Sequence, residues 1–142
     1  MQFFHWERRL NTGIEIIDMQ HQRIAGHINA LHTAMSSQDK ALVGETIIQL
    51  LDYTRSHLEF EEQLLEAAGY PGTLEHKTKH GHFERRIHYY FKRHRHGNDI
   101  AMPLISELKM WLTTHILYDD NDYVPTLQRY MGEVAFPTTM AQ

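Results

Sequence analysis

Apolar residues recur along this chain at alternating steps of four and three positions, in four separate stretches. Such steps keep side chains on one face of an α-helix. The pattern predicts four amphipathic helices at about 18–35, 40–68, 73–95 and 103–118, and a short helical segment at about 123–130. Short connections between long helices are typical of an all-α, antiparallel up-down four-helix bundle. Phe3, Phe4 and Trp6 predict an N-terminal arm packed against the bundle, so we expect one domain over residues 1–142.

Local signals mark several of the predicted helix ends. Asp39 suits the N-cap of the second helix, and the GYPG stretch at 69–72 suits its end. Thr73 is the candidate cap of the third helix. Asn98 or Asp99 is expected to open the fourth helix.

Composition narrows the class of protein. The 142 residues carry a net charge of −4, which argues against nucleic acid or an anionic membrane as the main partner. No apolar run approaches the ~20 residues of a bilayer span, and the N-terminal residues lack the regions of a secretory signal. The absence of cysteine excludes disulfides and thiolate metal sites. We therefore expect a cytoplasmic protein, unusual only in its twelve histidines.

Every predicted helix places histidine on the face that the pattern turns inward. The residues on these four faces, helix by helix, are Ile17, His21, Ile24, Ile28, Leu31 and Met35; Leu50, Thr54, His57, Glu61 and Leu64; His76, His80, Phe83, Ile87 and Tyr90; and Leu104, Leu108, Trp111, His115 and Tyr118. A lone inward histidine is more often a hydrogen-bonded core residue than a ligand, and a His-x3-His pair can arise by chance. Five inward histidines and a glutamate without partners would cost about 1–3 kcal/mol each. A shared metal centre satisfies them most simply.

The donor types narrow the metal. Imidazole and carboxylate without sulfur suit iron, manganese or zinc. Five histidines and a carboxylate exceed the ligands of one tetrahedral zinc, so two metals are expected. The ferritin-like di-iron bundles use paired Glu-x-x-His motifs. Only His21 has an acid three residues before it, Asp18, so that class is not supported.

The order of these residues resembles the hemerythrin family, specifically its bacterial members. His21 lies in GIEIIDMQH, His57 and Glu61 lie in HLEFEE, and His115 lies in WLTTHILYDD. His76 and His80 supply a further His-x3-His pair. The similarity extends from Trp6 to about Tyr130. It implies reversible O2 binding at two non-haem irons with an oxo or hydroxo bridge.

The resemblance also implies a ligand set. His76, His80 and His115 would hold one iron, His21 and His57 the other, and Glu61 and an aspartate would bridge them. The family's His-x4-Asp spacing selects Asp120. An ordinary helix instead favours Asp119, one turn from His115, because five residues turn about 140° away from the face. We expect Asp120, provided that the helix ends or tightens after Tyr118.

Counting ligands under the same resemblance leaves one vacant position, on the iron with two histidines, where O2 would bind. Trp111 and Leu112 match the family's Trp-Leu pair before the last histidine and would wall the O2 pocket, although ordinary core packing explains their spacing equally well. The other histidines are expected at the surface or hydrogen-bonded: His5, His27, His32, His82, His88, His94 and His96. His80 and Glu84 form a decoy His-x3-Glu pair.

Three classes of function use such a centre. An O2 carrier, store or delivery protein, with an unknown protein recipient, is the expected one. An O2 or redox sensor is the alternative, as is a di-iron enzyme that removes peroxide or nitric oxide. No further acid–base group was found in the sequence, which favours binding over catalysis.

Overall fold

A computed structural model describes residues 2–135; Met1 and residues 136–142 of the predicted domain lie outside the described residues. Four long helices form the bundle, and a fifth follows it. They are α1 (Glu15–Ser36), α2 (Lys40–Ala68), α3 (Thr73–Arg95), α4 (Ala101–Thr114) and α5 (Asn121–Ala135), with a 3₁₀ turn at Arg8–Leu10 and a π-helical turn at His115–Asp120. No strand occurs among these residues. The prediction of an all-α four-helix bundle is confirmed.

Helices α2 and α3 have the predicted bounds. The carboxylate of Asp39 accepts hydrogen bonds from the backbone N–H groups of Ala41 and Leu42, at 3.0 and 3.2 Å, and so caps α2. Gly69 ends α2 at φ 69°, in the left-handed region that glycine adopts without steric cost. The two predicted features of this helix, its cap and its stop, therefore act as the sequence indicates.

The predicted N-caps of α3 and α4 are wrong. Thr73 is the first residue of α3 rather than its cap, and its hydroxyl donates to the Tyr70 carbonyl at 2.6 Å. Helix α4 begins after Ile100 with no side-chain cap, so neither Asn98 nor Asp99 opens it. The Asn98 amide instead donates to the Arg93 carbonyl, at the end of α3.

Helix α1 begins at Glu15, three residues before the predicted start. The reason is Asp18, which reaches back to the residues before the helix. Its carboxylate accepts hydrogen bonds from the backbone N–H and hydroxyl of Thr12, at 2.7 and 2.8 Å, and from the N–H of Gly13 at 3.1 Å. Gly13, at φ 90°, turns the chain into the helix.

The bundle surrounds two apolar clusters. The larger contains Ile24, Leu58, Leu112 and Ile116, and the smaller contains Ile17, Leu65, Tyr123 and Leu127. The predicted arm packs on the larger cluster, because Phe4 is buried and exchanges two backbone hydrogen bonds with the Asn29 side chain. On α1, His21 lies between Ile17 of the smaller cluster and Ile24 of the larger one, and on α2, Glu61 lies between Leu58 of the larger cluster and Leu65 of the smaller one. In the described part of the chain, no helix is both long and apolar enough for a membrane span.

Candidate metal centre

Five imidazoles and two carboxylates meet in one buried layer between α1, α2, α3 and the π-helical turn. Each is at most 5% exposed: His21, His57, Glu61, His76, His80, His115 and Asp120. Two overlapping groups bring ligand atoms within 4.8 Å of one another. The first is His21, His57, Glu61 and His115, and the second is Glu61, His76, His80 and His115. These groups contain six of the seven residues that the sequence predicts as ligands, and the seventh, Asp120, lies against three of the same histidines.

The two oxygens of Glu61 face different histidines. Oε1 lies near the Nε2 atoms of three of them, at 2.5 Å for His76, 3.0 Å for His80 and 3.4 Å for His115. Oε2 lies near the Nε2 atoms of the other two, at 3.4 Å for His57 and 3.9 Å for His21. The carboxylate therefore stands between a group of three histidines and a group of two.

Asp120 divides its oxygens in the same way. Its Oδ1 lies 3.0 Å from the Nε2 of His115 and 3.4 Å from that of His76, whereas its Oδ2 lies 3.0 Å from the Nε2 of His21. Both carboxylates thus face the same two groups of histidines. The two carboxylates therefore offer oxygen donors to a metal ion beside either group.

The π-helical turn brings Asp120 into the site. Five residues after His115, an ordinary α-helix would point Asp120 about 140° away. The turn at His115–Asp120 has i→i+5 hydrogen bonds, and such insertions often occur at functional sites. The helix therefore widens, whereas the sequence led us to expect that it ends or tightens. The same insertion corrects the prediction that Tyr118 faces inward, because Tyr118 is 69% exposed.

Buried nitrogen and oxygen atoms at the centre lack hydrogen-bond partners among the described residues. They include Nε2 of His21, His57, His80 and His115, and both carboxylate oxygens of Asp120. Leaving such groups unsatisfied costs about 1–3 kcal/mol each. Imidazole nitrogens and carboxylate oxygens that converge at one point are the donors that a metal ion binds, once the imidazoles have given up their protons. The residues therefore fit a metal centre.

Burial and charge shift the pKa values in this layer. Burial lowers the pKa of His57, which keeps its imidazole neutral. Burial acts in the same direction on His76, but hydrogen bonds and charge from Asp120 and Glu61 outweigh it and raise the pKa to about 9. Burial likewise opposes the ionisation of Glu61, yet His115 and the other imidazoles hold its pKa well below the usual range. In the metal-free protein the centre thus binds protons where it would bind metal.

Three of the histidines have polar neighbours at Nδ1. The Nδ1 of His57 lies 2.6 Å from the amide oxygen of Gln20. In His80 and His115 the corresponding neighbours are carboxylates, Glu62 and Asp119, each at 3.6 Å. Asp119 is therefore close to the outer nitrogen of His115, and Lys79 donates to this carboxylate at 2.8 Å. The sequence did not predict these contacts at Nδ1, although Asp119 was placed one helical turn from His115.

Tyr123 is the residue at the centre that sequence analysis overlooked most completely. It is fully buried, and its hydroxyl donates to Oε2 of Glu61 at 2.9 Å. Burial raises the pKa of Tyr123 well above its usual value, so the hydroxyl stays protonated at neutral pH. Its position three residues after Asp120 was the available signal, but we expected only a short helical segment there.

Trp111 and Leu112 lie beside the centre in different ways. The Trp111 ring stacks on His115, with centroids 4.7 Å apart and planes 12° apart, and on its other face it stacks on Phe83. Leu112 is fully buried in the larger apolar cluster. The other seven histidines all lie outside the buried layer, and Glu84 is not part of it.

The chain is similar to proteins of one known family. The profile described as "Hemerythrin HHE cation binding domain" matches residues 12–127. A bacteriohemerythrin of Stenotrophomonas maltophilia (strain R551-3) is 42% identical over 135 residues, covering 95% of this chain and 88% of that protein. One from Pseudomonas aeruginosa (strain LESB58) is 43% identical over 129 residues, covering 91% and 84%.

A crystal structure of wild-type hemerythrin superimposes with a TM-score of 0.84 at 24% identity, covering 88% of this chain and 98% of that one. At that identity the superposition supports the fold alone. The family profile spans most of the chain, and the bacterial relatives are similar over nearly all of it. The chain belongs to the hemerythrin family.

Proposed function

We propose that this protein binds O2 reversibly at a pair of non-haem irons, and that it acts as an O2 carrier, store or delivery protein. Membership of the family supports iron as the metal. The donor set of imidazole and carboxylate, without sulfur, suits iron as well. When bound, two irons with a bridging oxo or hydroxo group supply the electrons and the open coordination position that O2 binding needs.

The observation that carries this proposal is the division of the carboxylate oxygens of Glu61 and Asp120. We assign the three histidines near Oε1 of Glu61 to one iron, namely His76, His80 and His115. The pair near Oε2, His21 and His57, is assigned to the other. Glu61 and Asp120 would bridge the two. Because one group has three imidazoles and the other two, the iron held by His21 and His57 would be the one with a position left for O2.

The remaining residues hold and shield the centre. Tyr123 donates a hydrogen bond to Glu61 and so fixes the bridging carboxylate. Since its hydroxyl stays protonated, it does not act as a base. We assign Trp111 and Leu112 to the wall that keeps water and anions from the O2 position. With water and anions excluded, bound O2 would leave as O2 rather than oxidise the irons to iron(III).

The same site would also serve an O2 or redox sensor, or an enzyme that removes peroxide or nitric oxide. Reversibility separates a binding protein from an enzyme. The test is anaerobic reconstitution with iron(II), followed by air and then by degassing, with absorbance recorded at each step. We expect an oxygenated spectrum that appears in air and reverses on degassing. Immediate, irreversible decay to the oxidised form would contradict the proposal.

Matched variants connect that spectrum to the site. His76→Ala removes an imidazole from the buried layer and should abolish the oxygenated spectrum. His82→Ala removes an exposed imidazole from the same helix and should leave it nearly intact. Equal loss in both variants would mean that the spectrum does not arise at the assigned centre.

A further inference from the structure

The histidines of the centre turn Nε2 inward, and their outer nitrogens, the Nδ1 atoms, have different neighbours in the two groups. In the group of three histidines, carboxylates lie behind two of the rings, Glu62 behind His80 and Asp119 behind His115, both at 3.6 Å. In the group of two, His57 has the neutral amide oxygen of Gln20 at 2.6 Å. The Nδ1 atoms of His21, His80 and His115 are all buried without a hydrogen-bond partner among the described residues, so Glu62 and Asp119 act on their histidines through charge alone. Within the described residues, a carboxylate lies close to Nδ1 only in the group of three histidines.

The contact with Gln20 fixes which nitrogen of His57 is free. An amide oxygen can only accept, so the Nδ1 of His57 carries the proton and donates. The Nε2 of the neutral ring then presents its lone pair to the centre, where it lies 3.4 Å from Oε2 of Glu61. Gln20 is half-buried on α1, one residue before His21, and so this helix both supplies one imidazole and orients the other.

We propose that Gln20 is a positioning residue that makes His57 a weaker electron donor to its metal ion than His80 and His115 are to theirs. It does so by placing a neutral amide behind the ring, where the other two rings have carboxylates. This inference rests on the di-iron assignment proposed above. The charge of a carboxylate close to an imidazole N–H raises the basicity of the opposite nitrogen, and partners behind ligating histidines typically change metal affinity 10–100-fold. A neutral amide raises it less. Iron(II) is consequently favoured over iron(III) at the position assigned to O2.

The first test measures metal affinity without O2 chemistry. Apo protein is titrated with cobalt(II) against a competing chelator, for the wild type, Gln20→Leu and the exposed control Gln22→Leu. We expect two binding steps in the wild type, and in Gln20→Leu one step weakened about 10–100-fold with the other nearly unchanged. Gln22→Leu should match the wild type. Two unchanged steps in a folded Gln20→Leu protein would overturn the proposal.

A second variant separates electron donation from simple support. Gln20→Glu keeps the shape of the side chain and adds a carboxylate, while Gln22→Glu adds the same charge at an exposed position on the same helix. The iron-loaded protein is reduced at an electrode, in two one-electron Fe(III)/Fe(II) steps. In Gln20→Glu, one of these two steps should shift to a lower reduction potential. A tenfold change in relative affinity for the two oxidation states corresponds to about 59 mV. Equal shifts in Gln20→Glu and Gln22→Glu would overturn the role of Gln20.

The orientation of His57 has its own readout. In zinc-loaded, ¹⁵N-labelled protein, the Nδ1–H of His57 should give a slowly exchanging proton resonance that is lost in Gln20→Leu. Its persistence there would contradict the hydrogen bond. If the wild type takes up a single metal ion, the di-iron assignment fails and this inference fails with it. If it takes up two and the Gln20 variants behave as their controls, the inference alone fails.

Discussion

Asp120 lies five residues after His115, and yet its Oδ1 comes within 3.0 Å of the Nε2 of that histidine. The neighbouring carboxylate of Asp119 instead lies 3.6 Å from the Nδ1, on the outer side of the same ring. The two adjacent aspartates therefore approach the two nitrogens of one imidazole. This relationship exists because the helix widens into a π-helical turn at that point.

Substitution of each aspartate should distinguish these positions. Asp120→Ala removes a carboxylate that faces both groups of histidines, so metal uptake should fall from about two ions per chain to about one. Asp119→Ala should retain both ions, with affinity weakened by at most about 10–100-fold. Metal analysis after gel filtration measures the difference, with the exposed Asp122→Ala as control. Loss of the second ion in Asp119→Ala alone would show that Asp119 is the bridge.

Tyr123→Phe tests the hydrogen bond to Glu61. The variant leaves Oε2 of a fully buried carboxylate without its hydroxyl donor, and bonds to charged groups contribute about 1.5–3 kcal/mol. We expect the free energy of unfolding of the apo protein to fall by that amount, measured by urea denaturation, while metal uptake continues. Tyr118→Phe, at a 69% exposed position, should change little. A Tyr123→Phe protein as stable as the wild type would contradict the assigned contact.

Loading of the apo protein should release protons. Asp120 and Glu61 outweigh burial and raise the pKa of His76 to about 9, so this ring is protonated at pH 7 in the metal-free protein. Since metals bind neutral imidazole, zinc uptake at pH 7 should release about one proton per chain or more, followed with an indicator in weak buffer. The release should decline as the pH rises past about 9. A release that is already absent at pH 7 would contradict the raised pKa of His76.

The same shift gives the sign of a stability change. The folded-state pKa of His76 lies above its ordinary value of 6.5. Its stabilising effect on the apo protein is therefore complete below pH 6.5 and is lost as the pH rises through about 9. Urea denaturation of the wild-type apo protein should show a decline over this interval that is smaller in His76→Ala. An equal decline in both proteins would assign the effect to other groups.

Leu112→Ala tests the proposed wall of the O2 position. Truncation of a fully buried leucine typically costs 2–5 kcal/mol of stability and leaves a cavity. Iron should still bind, but the oxygenated state should decay faster because solvent gains a path to the centre. Timed absorbance after stopped-flow oxygenation measures this, with Met110→Ala, at a 71% exposed position, as control. An unchanged decay rate in a folded, fully loaded variant would leave Leu112 as ordinary packing.

Sequence periodicity predicts the bundle and the inward histidines because both follow from helix geometry. A three- or four-residue step stays on one face of a helix. The sequence alone therefore places two pairs on a shared inward face, His57 with Glu61 and His76 with His80. The end of α2 is equally readable, since Gly69 adopts the left-handed conformation that its residue type favours.

Periodicity cannot reveal an inserted residue in a continuous helix. The pattern that correctly buries His115 goes on to bury Tyr118, which is exposed, because it assumes an unbroken α-helix. The family's spacing selected Asp120, but the expected reason, an ended or tightened helix, was wrong. Contacts across helices, such as Gln20 with His57 and Tyr123 with Glu61, depend on how the helices are packed and leave no local signal.

We assign Glu61 and Asp120 as the bridges between two metal ions held by five histidines. The number of iron(II) ions bound per chain tests this assignment directly. Apo protein is titrated anaerobically with iron(II), unbound metal is removed by gel filtration, and iron is measured against protein. We expect an endpoint at about two iron(II) ions per chain. An endpoint at one ion, or firm binding of a single zinc that excludes iron, would contradict it.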